Sequence, residues 1–166
     1  MERFFMVFIA EMRYSVLSPY NGIYIPSAKP SRELAYVIGV VAGDGYVHRL
    51  SKPRKSYNPM YIGLNVKDRE FAEEFSRCLS AVLKRDPPKP KWSIRRFIVE
   101  LQCKVLYELL KKPLDIERLR CFVEYSAECK SAFLRGFFDS EGRIDKTGEI
   151  LVYNTDLKLL RYVKLL

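Results

Sequence analysis

The sequence predicts an α+β fold made of antiparallel β-hairpins with helices packed on one face. Three observations support this prediction. Short runs rich in β-branched and aromatic residues occur in pairs, as in hairpins, and the segments between them have helical spacing or helix caps. In addition, 48% of the 166 residues are hydrophobic, which is ample for a buried core and excludes a disordered chain.

The first predicted helix begins after Ser31, a residue type that caps helix N-termini, and has Glu33 in its first turn. The run 34–42 that follows is apolar on nearly all sides, so we expect a buried helix. It ends at the turn sequence Gly43-Asp44-Gly45. The next elements are a hairpin with strands 46–50 and 61–66, a helix at 68–83, a second hairpin with strands 91–94 and 97–103, and helices at 105–112 and 116–125.

A strongly apolar helix is then predicted at 127–138, ending before Asp139-Ser140-Glu141-Gly142. A short strand pair within 143–153 and a final helix from about residue 156 complete the chain. The predicted order is therefore α-β-β-α-β-β-α-α followed by α-β-β-α. Because the strands come in hairpins, we expect antiparallel sheets with helices on one face.

Eleven residues are repeated in the two apolar helices. Segment 35–45 aligns with 132–142, with an identical alanine, an identical mid-helix glycine (Gly39 and Gly136) and an identical final glycine. For either segment alone, a core helix with a glycine C-cap is the simpler interpretation. Each mid-helix glycine, however, costs about 1 kcal/mol relative to alanine. That cost is explained if the two helices press their backbones together at Gly39 and Gly136.

The repeat also places an acid before its final glycine, Asp44 in the first copy and Glu141 in the second. A carboxylate at a helix C-terminus faces the negative end of the helix dipole, so stability alone would favour lysine there. If the helices pack side by side and parallel, both acids emerge at one end. Carboxylates and free carbonyl oxygens then form a hard-oxygen site suited to Mg²⁺, which promotes phosphodiester hydrolysis.

The segments VIGVVAGDG and LRGFFDSEG resemble the two motifs of single-chain LAGLIDADG homing endonucleases, above all the archaeal intron-encoded type. The resemblance covers about residue 31 to the end. It implies an αββαββα half-domain and a second, shortened copy related by pseudo-twofold symmetry, whose sheets form a DNA-binding saddle. We therefore divide the chain into an N-terminal arm (1–30), a first repeat (31–126) and an incomplete second repeat (127–166).

By this resemblance, Asp44 and Glu141 are the catalytic, metal-binding acids, assisted by the carbonyl groups of Gly43 and Ser140. Lys67, just after the second strand, matches a lysine that the family places near the scissile phosphate. An ordinary solvated lysine at a helix start is an equally good interpretation. The family also implies Mg²⁺ or Mn²⁺ as cofactor, with Ca²⁺ as a non-productive substitute.

Basic residues are concentrated on the two predicted hairpins of the first repeat. The chain has 29 Lys and Arg against 20 Asp and Glu, a net charge of +9. Windows 46–58 and 84–96 contain ten of these basic residues and one acid, so they account for the whole excess. A charge run is often only a solvated face, but a two-stranded ribbon fits the DNA major groove. The candidate DNA-binding residues are Arg49, Lys52, Arg54, Lys55, Asn58, Lys89, Lys91, Ser93, Arg95 and Arg96, with Lys146 in the second repeat.

Two functions are consistent with these features. The leading one is a site-specific, double-strand DNA endonuclease that promotes intron mobility and acts on a long asymmetric site. We expect a monomer, with self-association as the alternative if the second half is incomplete. The alternative is a nucleic-acid-binding protein on the same scaffold, such as an RNA-splicing maturase. The four cysteines follow no metal-binding spacing, and the apolar run 4–10 is too short for a signal peptide or a membrane span. We therefore expect reduced thiols and a cytoplasmic protein, or one of an organellar matrix in a eukaryotic host.

Overall fold

The structure is a computed structural model that describes residues 29–50 and 58–166. Within these ranges the chain forms six helices and six strands in the predicted order, and the predicted mixed fold with antiparallel sheets is confirmed. The helices are α1 (Arg32–Ala42), α2 (Arg69–Leu83), α3 (Lys104–Leu110), α4 (Ile116–Val123), α5 (Ala127–Glu141) and α6 (Leu157–Leu165). The strands are β1 (Tyr46–Arg49), β2 (Met60–Val66), β3 (Lys91–Ser93), β4 (Arg96–Gln102), β5 (Gly142–Ile144) and β6 (Ile150–Val152).

Short polar side chains determine where most of the helices begin. In five helices the residue before the first turn accepts a hydrogen bond from a backbone N–H of that turn, which satisfies a donor that the helix itself leaves unpaired. These N-caps are Ser31, Asp68, Asp115, Ser126 and Asp156. The helix starts predicted from the sequence are therefore encoded locally.

Several predicted boundaries were wrong, and three of them have a clear physical reason. Helix α3 ends at Leu110 rather than at Lys112, because a residue that precedes proline disfavours the helical conformation. Helix α5 continues to Glu141, since Asp139-Ser140-Glu141 carries no helix breaker before Gly142. Strand β3 ends at Ser93 because Ile94 and the next residue turn the chain with positive φ angles.

The first four strands form one antiparallel sheet in the order β1-β2-β4-β3. Ile62, Leu64 and Val99 are fully buried on one face, within the same core as α1 and α2. Because side chains alternate along a strand, every second residue of each strand lies on the opposite face. We call this the outer face; it comprises Tyr46, His48, Tyr61, Gly63, Asn65, Lys91, Ser93, Arg96, Ile98, Glu100 and Gln102.

The second half repeats the order of the first. Helix α5 is followed by the antiparallel pair β5–β6 and then by α6, as α1 is followed by β1, β2 and α2. Leu159 and Tyr162 of α6 are buried, and the Tyr162 ring meets the edge of Phe133 in α5. The division of the chain at residues 126 and 127 stays a prediction.

Helices α1 and α5 touch through their backbones. A Cβ atom added to Gly39 would lie 2.2 Å from the Phe133 carbonyl oxygen, and one added to Gly136 would lie 2.4 Å from the Tyr36 carbonyl oxygen. Further along, a Cβ at Gly43 would meet the Cβ of Ser140 at 2.5 Å. Residues in the middle of α1 contact the middle of α5, and the residue that ends α1 contacts the last turn of α5. The helices are therefore parallel and end side by side.

Some of the predicted features lie outside the described residues, whereas the predictions about cysteines and membrane spans can be compared with the structure. The predicted arm (1–30) lies almost wholly outside the described residues, as do Lys52, Arg54 and Lys55. All four cysteines are free thiols, and Cys121 alone is exposed. Among the helices described here, none has both the length and the apolar character needed to cross a membrane.

We predict that Gly39→Ala and Gly136→Ala each lower the free energy of unfolding, by roughly 1–3 kcal/mol, because the new methyl group meets backbone that cannot turn aside. Helix propensity alone predicts the opposite sign, a gain of about 1 kcal/mol. Chemical denaturation measures the difference, with Ser131→Ala on the exposed side of α5 as the control. A rise in stability for either glycine variant would contradict the close packing.

Candidate catalytic site and nucleic-acid interface

Asp44 lies in a tight turn just beyond the end of α1. The Gly43 N–H donates to the carbonyl oxygens of Gly39 and Val40, at 3.3 and 3.2 Å, and the Gly45 N–H donates to the same Val40 oxygen at 2.8 Å. These bonds close the helix and fix the backbone on both sides of Asp44. The acid is therefore presented on a turn whose own hydrogen bonds are satisfied.

Glu141 is the last residue of α5. Its Oε1 atom accepts a hydrogen bond from Nδ2 of Asn154 at 3.0 Å, and Asn154 follows β6. The Ser140 hydroxyl donates to the Gly136 carbonyl oxygen at 3.0 Å and lies 3.4 Å from the Val40 carbonyl oxygen, its second acceptor across the helix pair. Glu141 is thus oriented by the segment between β6 and α6, while Ser140 ties the two helix ends together.

The two acids share one end of the helix pair. A Cβ atom at Gly43 would lie 2.9 Å from the Cγ of Glu141, so the Asp44 turn packs directly on the end of α5. Partial burial raises the pKa of Glu141, and the negative charge of Asp44 raises it further. Burial also raises the pKa of Asp44, opposed by the positive charges of Arg96 and Lys112. The acids are therefore close enough to repel each other.

A lysine that the sequence did not single out lies near both acids. Lys112 Nζ donates to the carbonyl oxygen of Gly43 at 3.2 Å. Burial lowers the pKa of Lys112, while the charges of Glu141 and Asp44 act to raise it. One ammonium group thus contacts the helix end and interacts with both carboxylates. The feature of the sequence that could have indicated Lys112 is the run Lys111-Lys112-Pro113. Because the proline ends α3 at this point, the lysine before it lies outside the helix.

The oxygen groups at this end fit a divalent cation of the Mg²⁺ class. Two carboxylates and the Gly43 carbonyl group supply hard oxygen donors, the ligands that such cations prefer. The Gly43 carbonyl oxygen accepts from the Lys112 ammonium group, so this oxygen is already in contact with a positively charged group. In the described ranges no group of three or more His, Cys, Asp or Glu side chains is arranged to hold a metal. The structure does not show a role for the Ser140 carbonyl group.

The third acid of the motif has a different environment. Asp139 Oδ2 accepts a hydrogen bond from the Tyr36 hydroxyl at 2.8 Å and lies 3.7 Å from Nε of Arg135. Burial and this hydrogen bond raise the pKa of Tyr36, which keeps the phenol protonated as a donor. Asp139 therefore joins α1 to α5 through a hydrogen bond from the Tyr36 hydroxyl group.

The predicted lysines and DNA-contacting residues are more dispersed. Lys67 is exposed between β2 and the N-cap of α2, and its catalytic role stays a prediction. Lys146 is exposed in the turn between β5 and β6. On the first sheet, Lys91, Ser93 and Arg96 project from the outer face. The remaining predicted contacts lie at its margins: Arg49 ends β1, Asn58 precedes β2, Lys89 precedes β3, and Arg95 lies in the β3–β4 turn.

The chain is similar to two archaeal proteins and to one family of domains. Residues 128–166 match the family described as LAGLIDADG-like domain. The chain is 31% identical over 151 residues to uncharacterized protein MJ0398 of Methanocaldococcus jannaschii, covering 89% of this chain and 52% of that protein. It is 30% identical over 142 residues to uncharacterized protein MJ0314 of the same organism, covering 79% and 51%. The chain spans about half the length of the curated relatives it matches.

The fold is also that of solved homing endonuclease structures. A crystal structure of I-DmoI in complex with DNA and Mn matches with a TM-score of 0.63 and 21% identity, over 81% of this chain and 75% of that one. The complex of I-DmoI with DNA and Ca matches with a TM-score of 0.60 and 22% identity, over 80% and 68%. Mesophilic variants of the homing endonuclease I-DmoI match with a TM-score of 0.61 and 20% identity, over 80% and 73%. The resemblance inferred from the two motifs is confirmed.

We predict that Asp44→Asn raises the melting temperature slightly in the presence of a chelator, by roughly 1–3 °C, because it removes a carboxylate that its surroundings disfavour and that repels Glu141. Asp139→Asn is the matched control, since it neutralises a carboxylate that Tyr36 and Arg135 stabilise, and it lowers the melting temperature. Thermal unfolding followed by circular dichroism measures both. Equal losses in the two variants would contradict the electrostatic description.

Proposed function

We propose that this chain, which has the LAGLIDADG fold, is a site-specific DNA endonuclease that cuts both strands of a long recognition site. The observation that carries the proposal is the shared position of Asp44 and Glu141 at the ends of two helices in backbone contact, with the Lys112 ammonium beside them. Carboxylates in these positions lower stability, and on a surface that only binds polyanionic DNA they would repel the phosphates. A phosphodiesterase that uses divalent cations, by contrast, needs carboxylates to hold the cation.

Asp44, Glu141 and the carbonyl group of Gly43 would hold the cation, with the carbonyl group of Ser140 as the further ligand implied by the family. A bound Mg²⁺ or Mn²⁺ supplies Lewis-acid stabilisation of charge at the phosphate and favours ionisation of an attacking water. We propose that Ca²⁺ occupies the same ligands without supporting cleavage.

Each acid serves one strand of the duplex in this proposal. Asn154 orients the Glu141 carboxylate, and the turn hydrogen bonds at Gly43 and Gly45 orient Asp44. Lys112, which interacts with both, brings positive charge to a site that must accept a phosphate. The outer face of the sheet presents Lys91 and Arg96 to the major groove, as a β-ribbon reader of DNA does.

Support for the DNA substrate comes from the similar structures, in which I-DmoI is bound to DNA with Mn or Ca. We propose that this chain likewise binds duplex DNA and that cleavage promotes the movement of an intron into a cognate allele. We propose action as a monomer on an asymmetric site because the two acids have different neighbours within one chain. An RNA-splicing maturase on the same scaffold is the alternative, and the cleavage experiment below separates the two.

We predict that the wild-type protein linearises a supercoiled plasmid carrying a site recovered from a randomised insert library, in Mg²⁺ or Mn²⁺ but not in Ca²⁺. Asp44→Asn and Glu141→Gln each leave one strand intact, so each yields nicked circles, and the double variant leaves the plasmid supercoiled. Gel electrophoresis of the plasmid forms measures this. Wild-type protein that binds the site and leaves the DNA intact would refute the endonuclease and favour the maturase.

We also predict that Lys112→Met lowers the single-turnover cleavage rate at least tenfold while changing the dissociation constant for DNA less than threefold, because its ammonium group contacts the Gly43 carbonyl group next to Asp44 and Lys112 is not one of the outer-face residues. Lys111→Met is the matched control; it removes an exposed lysine whose partner is Glu108 at 3.2 Å, and cleavage is unaffected. Lys67→Met in the same assay tests the family-based prediction. Equal rates for Lys112→Met and Lys111→Met would exclude a role for Lys112 in cleavage.

A further inference from the structure

The outer face, which we propose binds DNA, contains one carboxylate whose negative charge disfavours DNA binding. Glu100 lies on β4, paired with Gly63 of the central strand β2. Of the outer-face residues defined above, all within the part of the chain that the structure describes, Glu100 is the one acid. Its side chain is 38% exposed. A negative charge there repels DNA phosphates and weakens non-specific binding.

A specific arrangement holds this carboxylate in place. Tyr46 of β1 pairs with Gly63, and its ring lies so close over that glycine that an added Cβ would be 2.6 Å from both Cζ and Oη of Tyr46. The glycine lets the ring reach across β2, where the Tyr46 hydroxyl donates to Oε2 of Glu100 at 3.0 Å. Burial, together with this hydrogen bond, raises the pKa of Tyr46, so the hydroxyl remains a donor.

A histidine completes the arrangement. The His48 ring stacks between Tyr46 and Tyr61, with centroid distances of 5.7 and 4.9 Å. Its Nδ1 atom lies 3.8 Å from Oε2 of Glu100. Three strands therefore contribute to the position of one carboxylate. An ionised carboxylate has about four acceptor sites, and the Tyr46 hydroxyl uses one of them.

A fixed acceptor in the major groove distinguishes between base pairs. Guanine presents two acceptors there, N7 and O6, and these oppose a carboxylate, whereas cytosine presents the N4 amino group as a donor. We propose that Glu100 is a specificity-determining residue whose carboxylate accepts a hydrogen bond from the N4 amino group of one cytosine in the recognition site, and that Tyr46 is its positioning residue. The inference rests on the proposed DNA-binding function and adds the chemical identity of one contacted base.

The experiment is a binding selection from a randomised duplex library with the full chain. Asp44→Asn and Glu141→Gln are both present in the parent protein, so that bound duplexes stay uncut. The parent enriches a site with one position that requires cytosine, preferred about tenfold or more over the other bases. Glu100→Gln loses the requirement at that single position, while the rest of the site is unchanged. Tyr46→Phe keeps the ring over Gly63 and weakens the same preference without changing the preferred base.

Glu108→Gln is the matched control for charge. It removes one negative charge from α3, outside the outer face, where the partner of Glu108 is Lys111. Both glutamine variants bind random DNA somewhat more tightly because the net charge rises, but only Glu100→Gln alters the base preference. If the Glu100→Gln variant keeps the base preference of the parent at every position, this inference is overturned and the proposed function stands. A parent that enriches no sequence overturns both.

Discussion

The direct contact between the backbones of α1 and α5 is the constraint on which the rest of the structure depends. It requires glycine at Gly39 and Gly136, because any Cβ there would overlap the carbonyl group of the opposite helix. Parallel packing at this distance leaves no freedom in where the two helix ends lie. The turn at Asp44 must therefore meet the last turn of α5, and the acids come together as a consequence of packing. The same contact gives each half of the protein its buried helix, so stability and site geometry share one origin.

The electrostatics of that shared end run against stability. Carboxylates at helix C-termini face the negative end of each dipole, and Asp44 and Glu141 also repel each other. Lys112 offsets part of this strain by donating to the Gly43 carbonyl oxygen and attracting both acids. Asp139 shows what a stabilised carboxylate looks like on the same helix, with the Tyr36 hydroxyl and Arg135 as partners. Asp139 therefore contributes to the stability of the fold, whereas the positions of Asp44 and Glu141 are explained by a function and not by stability.

Local features of the sequence were enough to predict most of the fold. Helix starts depend on caps such as Ser31 and Asp68, whose side chains act within their own first turn. The repeated glycine and acid predicted the helix pair and both acids because they recur in the same order. Lys112 was missed, since the local pattern Lys111-Lys112-Pro113 indicates only where α3 ends, while its contact with Gly43 joins residues 69 positions apart. The Tyr46–Glu100 contact was missed for the same reason, as it depends on the register of three strands.

The two acids are not equivalent, although one motif places both. Lys112 acts on both, but Asp44 lies beyond the end of α1, where Arg96 of the sheet also acts on it, whereas Glu141 is within the last turn of α5 and accepts from Asn154. Two identical chains related by symmetry would give both acids the same neighbours. In a single chain with two copies of the motif, each acid can have different neighbours. The sheet residues of the two copies can differ for the same reason. In the proposed function, the unequal neighbours of the two acids and the fixed carboxylate of Glu100 would both match a DNA site whose two halves differ.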